Sequence, residues 1–247
     1  MIKIITILTK FIIAIIISIL FASCKYDVNF GDGEKGNGTI TTENRNISRT
    51  FTGVDVSSGI EVILEQSENQ YVSVEAESNL QKLIITKVEN GILTIKPDGS
   101  INPTKTITVI VKTAKIDVLE ASSSSKIKGI GNFKGESIAV DVSSAAEVDV
   151  DLKYDQITLD ASSSGNINAK GIALKLETSA SSGAEIKASE LLVNNVNADV
   201  SSGANIKIHP IIKLIGNASS GGNITYDIEP KSISKDESSG GNIGREQ

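Results

Sequence analysis

A short phrase, Ser-Ser-Gly-x-Asn/Glu-Ile or a close variant, recurs eight times in this chain and constrains the fold more than any other feature. Its copies begin at Ser57, Ser122, Ser143, Ser162, Ser181, Ser201, Ser219 and Ser238. From Ser122 onward, successive copies lie 18 to 21 residues apart. Self-similarity at a nearly constant short period is the signature of a repeat architecture, in which each unit packs on its neighbours. The spacing therefore predicts a solenoid.

Two positions of the phrase are apolar in almost every copy. The residue before the first Ser is Val or Ala in seven copies, and Glu237 in the last. The residue five places after the first Ser is Val or Ile in all eight copies. β-Branched residues suit strands that stack on equivalent strands above and below. Both columns are predicted to point into a core, with a tight corner between them in which Gly supplies the positive φ.

The stretches between the corners alternate apolar and polar residues, as in residues 148–152 and in Leu174-Lys175-Leu176-Glu177-Thr178. Such alternation is typical of strands with one buried face. No part of the mature chain keeps apolar residues at helical spacing for more than about two turns, which argues against βαβ units. At about 3.3 Å per strand residue, one interval holds the two or three short strands of one narrow coil.

The predicted fold class is therefore all-β, a parallel β-helix (β-solenoid) with coils of about 19–21 residues. A left-handed helix built from hexapeptides would prefer steps in multiples of six, whereas these steps drift between 18 and 21 residues. The irregular step favours the right-handed kind.

The N-terminus has the pattern of a bacterial lipoprotein signal. Lys3 and Lys10 precede an apolar run over residues 11–22, which is followed by Ser23 and Cys24. The run is shorter than the roughly 20 residues that a membrane-spanning helix needs. Its end resembles a lipobox, in which Cys24 is the lipidation site and the first mature residue. The alternative is an ordinary secretory signal followed by an unmodified cysteine, and in either case a single cysteine allows no internal disulfide.

Composition divides the chain into segments. Gly, Asn, Asp, Glu and Thr dominate after the cysteine and predict a flexible tether. The predicted segments are a signal peptide at 1–23, the lipidated Cys24 with its tether at 24–46, wider N-terminal coils at 47–121, and regular coils with a C-terminal cap at 122–247. The 65 residues from Ser57 to Ser122 have room for about three wider turns that seal one end. Solenoids need such caps because open strand edges pair with other molecules.

The residues after Cys24 bear on location. Lys25 rather than Asp follows the cysteine, which in lipoproteins favours sorting to the outer membrane. Lys25-Tyr26-Asp27 also loosely resembles the signal that displays some lipoproteins on the cell surface. The sequence therefore predicts an outer-membrane lipoprotein and leaves open whether it faces the periplasm or the exterior.

Few residues belong to the types that carry catalysis. His209 is the only histidine, and a histidine-dependent triad or a zinc site needs partners that the chain lacks. The three arginines, Arg45, Arg49 and Arg245, lie outside the regular coils, whereas a lyase-like β-helix places basic residues among carboxylates in a cleft. The sequence predicts no catalytic residue, no metal ligand and no cofactor, and it predicts His209 to be a corner residue.

One column of polar side chains has two interpretations. Two residues before the first Ser stand Asp55, Glu120, Asp141, Asp160, Ser179, Asp199, Asn217 and Asp236. In a solenoid these side chains stack about 4.8 Å apart, and a file of carboxylates could bind Ca²⁺. The favoured interpretation is structural, with the side chains bonding the backbone of the corner. The Asn residues of the phrase likewise form either an amide ladder or a recognition surface.

Charge and aromatic content restrict the partners. Without Lys3 and Lys10, the chain has 22 basic and 30 acidic residues and a net charge of −8, which argues against nucleic acid. With no Trp and four Tyr, a glycan would have to be held by polar and amide groups. The expected partners are the membrane, through the lipid anchor, and a glycan or protein ligand of unknown identity. The oligomeric state does not follow from the sequence.

Residues 51–62, Phe-Thr-Gly-Val-Asp-Val-Ser-Ser-Gly-Ile-Glu-Val, followed by serial Ser-Ser-Gly-x-Asn-Ile phrases, resemble the "putative auto-transporter adhesin, head GIN domain" family of exported bacterial proteins. The similarity extends from about Phe51 to Ile243, most of the mature chain. It implies a right-handed parallel β-helix similar in shape to pectate lyases. It also implies an adhesive role that rests on shape, and it brings no catalytic or ligand residues.

The favoured function is a non-enzymatic cell-envelope lipoprotein that serves as an adhesin or a surface structural module. Two alternatives stay open. One is a carbohydrate-processing enzyme on a pectate-lyase-like β-helix, and the other is a periplasm-facing envelope binding protein.

Overall fold

The computed structural model describes residues 33–246, and nearly all of the regular structure in this range is β. The first ten strands are β1 (Glu34–Lys35), β2 (Ile40–Asn44), β3 (Gly53–Val56), β4 (Glu61–Gln66), β5 (Tyr71–Glu77), β6 (Ile84–Glu89), β7 (Ile92–Pro97), β8 (Ile101–Asn102), β9 (Thr108–Thr113) and β10 (Val118–Ala121). The others are β11 (Lys126–Val142), β12 (Glu147–Ala161), β13 (Asn166–Ala180), β14 (Glu185–Val200), β15 (Asn205–Ala218), β16 (Asn223–Tyr226), β17 (Ser232–Glu237) and β18 (Asn242–Arg245). A short 3₁₀ helix spans Gln81–Leu83. Within this range, no helix is long and apolar enough to cross a membrane.

Strands β11 to β15 form the body of a parallel β-solenoid of about seven turns. Each strand runs most of the way around one coil and pairs in parallel with the strand of the next coil. Equivalent positions of the repeat are register partners, so that Val148 lies beside Ile167 and Ile167 beside Ile186. The parallel β-solenoid predicted from the repeat is confirmed.

Both predicted apolar columns point into one continuous core. The Val or Ile five places after the first Ser is fully buried in seven copies and 4% exposed at Ile243. Burial of such a side chain stabilises the fold by about 1.5–3 kcal/mol. Phe133 and Tyr154 supply aromatic volume. The Tyr154 hydroxyl donates to the carbonyl oxygen of Ile116 at 2.8 Å, and burial raises the pKa of Tyr154.

Each Ser-Ser corner turns through two consecutive residues in the left-handed region. The second Ser has φ between 48° and 64° in all eight copies, and the next residue has φ between 59° and 78°. The sequence predicts a positive φ for Gly but not for the second Ser. Residues other than Gly adopt a positive φ at a cost in free energy. Hydrogen bonds between coils offset this cost, as where the N–H of Gly183 donates to the Ser202 carbonyl at 3.1 Å.

The N-terminal coils are not arranged as the sequence predicts. The corner at Ser57 stacks directly on the corner at Ser122, because the Ser122 N–H donates to Val56 and the Gly59 N–H donates to Ser123, both at 3.0 Å. The intervening residues therefore add no wider turns between these two corners. Strands β7 and β9 instead pair in parallel with β3 and β4, on the edges that face away from β10 and β11.

Antiparallel strands complete the N-terminal end. Strand β6 pairs with β7, β5 pairs with β9, and β2 pairs with β5, all antiparallel. Asn90 and Gly91 join β6 to β7, and both have positive φ, as a tight hairpin turn requires. Antiparallel pairing of β6, β5 and β2 thus extends the N-terminal end beyond the parallel strands β7 and β9.

Within the described residues, regular structure is already present at Glu34, ahead of the predicted domain start at residue 47. Strand β1 pairs with β8, and β2 pairs with β5, so the latter part of the predicted 24–46 tether is ordered. The buried Glu77 carboxylate accepts hydrogen bonds from the Gly38 N–H at 2.6 Å and from the Thr104 N–H and hydroxyl at 2.8 and 2.7 Å. Backbone pairing and one buried carboxylate need few apolar residues, so composition does not reveal this order.

Glu77→Gln is expected to loosen strands β1 and β2. The Thr104 hydroxyl, followed by backbone N–H donors, lowers the pKa of Glu77 below 4.5. Because the folded pKa is lowered, the stabilisation is present above the unfolded value and is lost as the pH falls through the folded one. In the Gln variant, the side-chain NH₂ replaces one carboxylate oxygen and faces the N–H of Gly38 or of Thr104, which is also a donor. Hydrogen exchange of residues 34–44 at pH 7 should be faster, and the acid sensitivity of this segment should be smaller.

Glu75→Gln is the matched control because Glu75 is exposed on the same strand. The role given to Glu77 is wrong if both variants exchange at the rate of the unmodified protein.

Candidate functional site

Cys24, the predicted lipidation site, lies outside the described residues, as do the signal peptide and the first part of the tether. Lipidation therefore stays a prediction. His209, the three arginines and the acidic column all lie within the described range.

His209 lies in β15 and is engaged within the solenoid. Its Nδ1 is 2.8 Å from Oδ2 of Asp227, which lies on the next coil, and both side chains are partly buried. The pair links two neighbouring coils, and this contact gives His209 a structural role. Within residues 33–246, no group of three or more His, Cys, Asp or Glu side chains is placed to hold a metal ion.

The acidic column is stacked in register, as predicted. Asp55 pairs with Glu120, Glu120 with Asp141, and Asp141 with Asp160. Burial, together with Asp55 and Asp141, raises the pKa of Glu120. Burial, together with Asp141 and Glu177, raises the pKa of Asp160. Burial, and after it the neighbouring carboxylates, thus favours the protonated forms of Glu120 and Asp160.

The acidic column and the Asn column make contacts along the stack. Asn217 donates to Asp199 at 2.6 Å, and Asn242 donates to Asn223 at 2.7 Å. In the described part of the chain, no hydrogen bond joins a side chain of the acidic column to the corner backbone, which was the favoured interpretation of that column. The contacts that are present are single hydrogen bonds from an Asn amide to the neighbouring coil.

A polar cavity of about 370 Å³ opens on the middle coils. We call it the lysine notch, and it is lined by Asp149, Asn168, Ala169, Lys170, Lys187, Ser189, Glu190 and Lys207. It lies where the register of β14 shifts against both neighbours, between Ala188 and Leu192 on the β15 side. The extra residues of β14 form one wall, and three consecutive strands supply the lysines.

An exposed apolar surface lies beside the notch. We call it the aliphatic ridge, and it consists of Ile172, Leu174, Leu192, Ile211 and Ile212, each between 37% and 54% exposed. Ile172 and Leu192 are register partners on neighbouring coils. A groove of about 350 Å³ runs along one end of the ridge, and Tyr154, Lys134 and Lys153 are among the residues that line it. Apolar patches on a protein surface often mark interaction sites.

The sequence predicted neither the notch nor the ridge. Alternation through Leu174 and Leu176 predicted that both point inward, but only Leu176 is buried. The consecutive exposed residues Leu174 and Lys175 break the alternation, which places Leu174 outside. The run Ile211-Ile212 is the one visible signal, because two adjacent strand residues cannot both face the same core.

A family model described as "Putative auto-transporter adhesin, head GIN domain" matches residues 50–230. The chain belongs to this family. The match covers strands β3 to β16. The resemblance seen in the corner phrases is therefore confirmed.

Solved structures share the fold at low sequence identity. A "putative adhesin" from Bacteroides fragilis has 15% identity and a TM-score of 0.81, covering 87% of this chain and all of that one. A "putative adhesin" from Parabacteroides distasonis has 21% identity and a TM-score of 0.72, with coverage of 87% and 100%. A "putative lipid binding protein" from the same species has 21% identity and a TM-score of 0.70, with coverage of 86% and 99%. No curated protein matches the chain.

Proposed function

We propose that this head GIN domain protein is a non-enzymatic, lipid-anchored adhesion module of the bacterial outer membrane. The observation that carries the proposal is the placement of the aliphatic ridge beside the lysine notch on consecutive coils. Such a surface offers apolar contact area and polar groups together, as protein interaction surfaces do. Family membership among adhesins supports the same role.

The shape and the predicted anchor act together in this proposal. A rigid solenoid tethered at Cys24 presents one contact surface per molecule, and each contact is weak. Many copies in one membrane convert weak contacts into firm attachment, because later contacts form at high effective concentration. Adhesion then depends on display density more than on the affinity of one domain.

The groove beside the ridge favours a second candidate, lipid binding. Tyr154, Ile172 and Leu174 supply an apolar lining, while Lys134 and Lys153 could meet an anionic headgroup. One structural neighbour is described as a lipid binding protein. In this case, the protein would face the membrane rather than another cell.

The test compares beads that carry the mature chain at high density with the same chain in solution. We expect the beads to attach to host glycoproteins, extracellular matrix or other bacterial cells, and we expect the monomer to bind feebly. Leu174→Ser together with Leu192→Ser should reduce attachment, while Leu174→Val serves as a conservative control. Binding to anionic lipid vesicles, with no attachment to any of the three surfaces, would replace adhesion by lipid binding. Cleavage of a polysaccharide would support the enzyme alternative.

A further inference from the structure

We propose that the lysine notch binds an acidic saccharide, a sugar that bears a carboxylate or a sulfate group. This inference rests on the proposed adhesive function and names the chemical class of its target. Its evidence is the shape of the notch, the arrangement of its lysines and the polar groups that accompany them.

The shape of the notch comes from an irregularity in one coil. Asn168 pairs with Lys187 and Lys170 pairs with Glu190, so β14 has two residues where β13 has one. On the other side, the register passes from Ala188 directly to Leu192 against consecutive residues of β15. The extra residues of β14 widen an otherwise regular surface into a cavity of about 370 Å³, within the range of about 300–1,000 Å³ found for ligand sites.

The lysines of the notch converge from three neighbouring coils. Lys187 and Lys207 are direct register partners, and like charges at such positions repel. Lys187 has Glu185 at 3.1 Å, and Lys207 has Glu246 at 3.8 Å. Lys170 forms no ion pair within residues 33–246. An anion held among the three ammonium groups would relieve their repulsion and would gain charge-assisted hydrogen bonds.

The remaining polar groups favour a sugar over a compact anion. Asp149 and Glu190 line the same cavity, and their carboxylates would repel free phosphate or sulfate. An acidic saccharide meets both demands, because hydroxyls of a sugar ring donate to the carboxylates while an acidic group contacts the lysines. Asn168 and Ser189 add an amide and a hydroxyl that can form hydrogen bonds with ring substituents. The absence of Trp from the chain fits a site that works through polar groups.

The notch and the ridge are continuous along the chain. Lys170 precedes the ridge residue Ile172 by two positions, and Glu190 precedes Leu192 by two. A surface that presents acidic glycans on protein would therefore meet the notch and the ridge together. This arrangement gives the adhesion module both a specific polar contact and a nonspecific apolar one.

The experiment titrates the full mature chain with trigalacturonate and with a sulfated chondroitin disaccharide by calorimetry. Cellotriose is the neutral probe, and sodium sulfate is the simple anion. We expect at least one acidic saccharide to bind, with affinity that falls as salt rises. We expect cellotriose and sulfate to bind at least about tenfold more weakly, because each satisfies only one half of the site.

Lys170→Gln and Lys207→Gln should each weaken saccharide binding about tenfold or more, since each removes a charge-assisted contact. Lys213→Gln is the control because Lys213 is exposed on β15 outside the notch. Circular dichroism shows whether each variant is folded. Should a lysine variant fail to fold, Ser189→Ala provides a second test, since it removes one hydroxyl from the wall of the notch.

Three outcomes overturn the inference: neither acidic saccharide binds, sulfate alone binds as tightly, or the notch variants bind like the Lys213→Gln control. Bead adhesion separates this failure from failure of the proposed function. If beads adhere while no acidic saccharide binds, the adhesion module stands and the notch assignment falls. If acidic saccharides bind while the beads adhere to nothing, the notch is a saccharide site on a protein that is not an adhesin.

Discussion

Replacing Ile186 by Asp is expected to prevent the solenoid from folding. Ile186 is fully buried and has Ile167 and Ile206 as register partners on the two neighbouring coils. Truncation of such a residue to Ala already costs about 2–5 kcal/mol, and an unpaired buried carboxylate costs more. The total stability of a domain is only about 5–15 kcal/mol, so one such change removes much or all of it. The variant should be insoluble or should lack a cooperative thermal transition by circular dichroism.

Ile172→Asp is the matched control, with the same substitution on the preceding strand. Ile172 is 49% exposed, so its carboxylate stays hydrated and the fold should survive with a small change in melting temperature. The stacked-core model would be contradicted if the two variants were equally stable.

Replacing Cys24 by Ala is expected to abolish acylation and to release the protein from the membrane. If Cys24 is the lipidation site, the anchor depends on one sulfur atom, and the chain has no second cysteine to take its place. Stable anchoring by lipid requires the buried acyl chains, since each CH₂ contributes about 0.8 kcal/mol. Labelling with a clickable fatty acid and fractionation of cells measure both effects.

Ser23→Ala controls for damage to the signal sequence, because it keeps a small residue before the cysteine. We expect this variant to be acylated and to sediment with membranes. Unchanged acylation in Cys24→Ala would rule out Cys24 as the attachment point, and the anchored-adhesin proposal would need another means of attachment.

The sequence by itself determined the regular part of the solenoid. The period of 18 to 21 residues, the two apolar columns and the corner phrases all follow from residues that repeat. These features are sufficient because each coil packs mainly on its two neighbours. The apolar positions of one coil therefore determine which positions of the next coil must be apolar. The in-register acidic column was predictable for the same reason.

The tertiary structure alone decided the ends and the exceptions. Composition marks residues 34–44 as polar, yet backbone pairing and the Glu77 carboxylate hold them in strands. The corner at Ser57 meets the corner at Ser122 across 65 residues, and no local pattern encodes which distant strand enters a stack. Pairing between distant strands depends on competition among all the available strand edges.

The lysine notch and the aliphatic ridge likewise belong to the tertiary structure. Lys170, Lys187 and Lys207 lie 17 and 20 residues apart, about one coil each, and they line one notch because coils stack about 4.8 Å apart. The notch opens because β14 shifts register against both neighbours, and a shift of one residue reverses which side chains face outward. A repeat predicts its own regular positions, whereas this candidate site lies where one coil departs from the repeat.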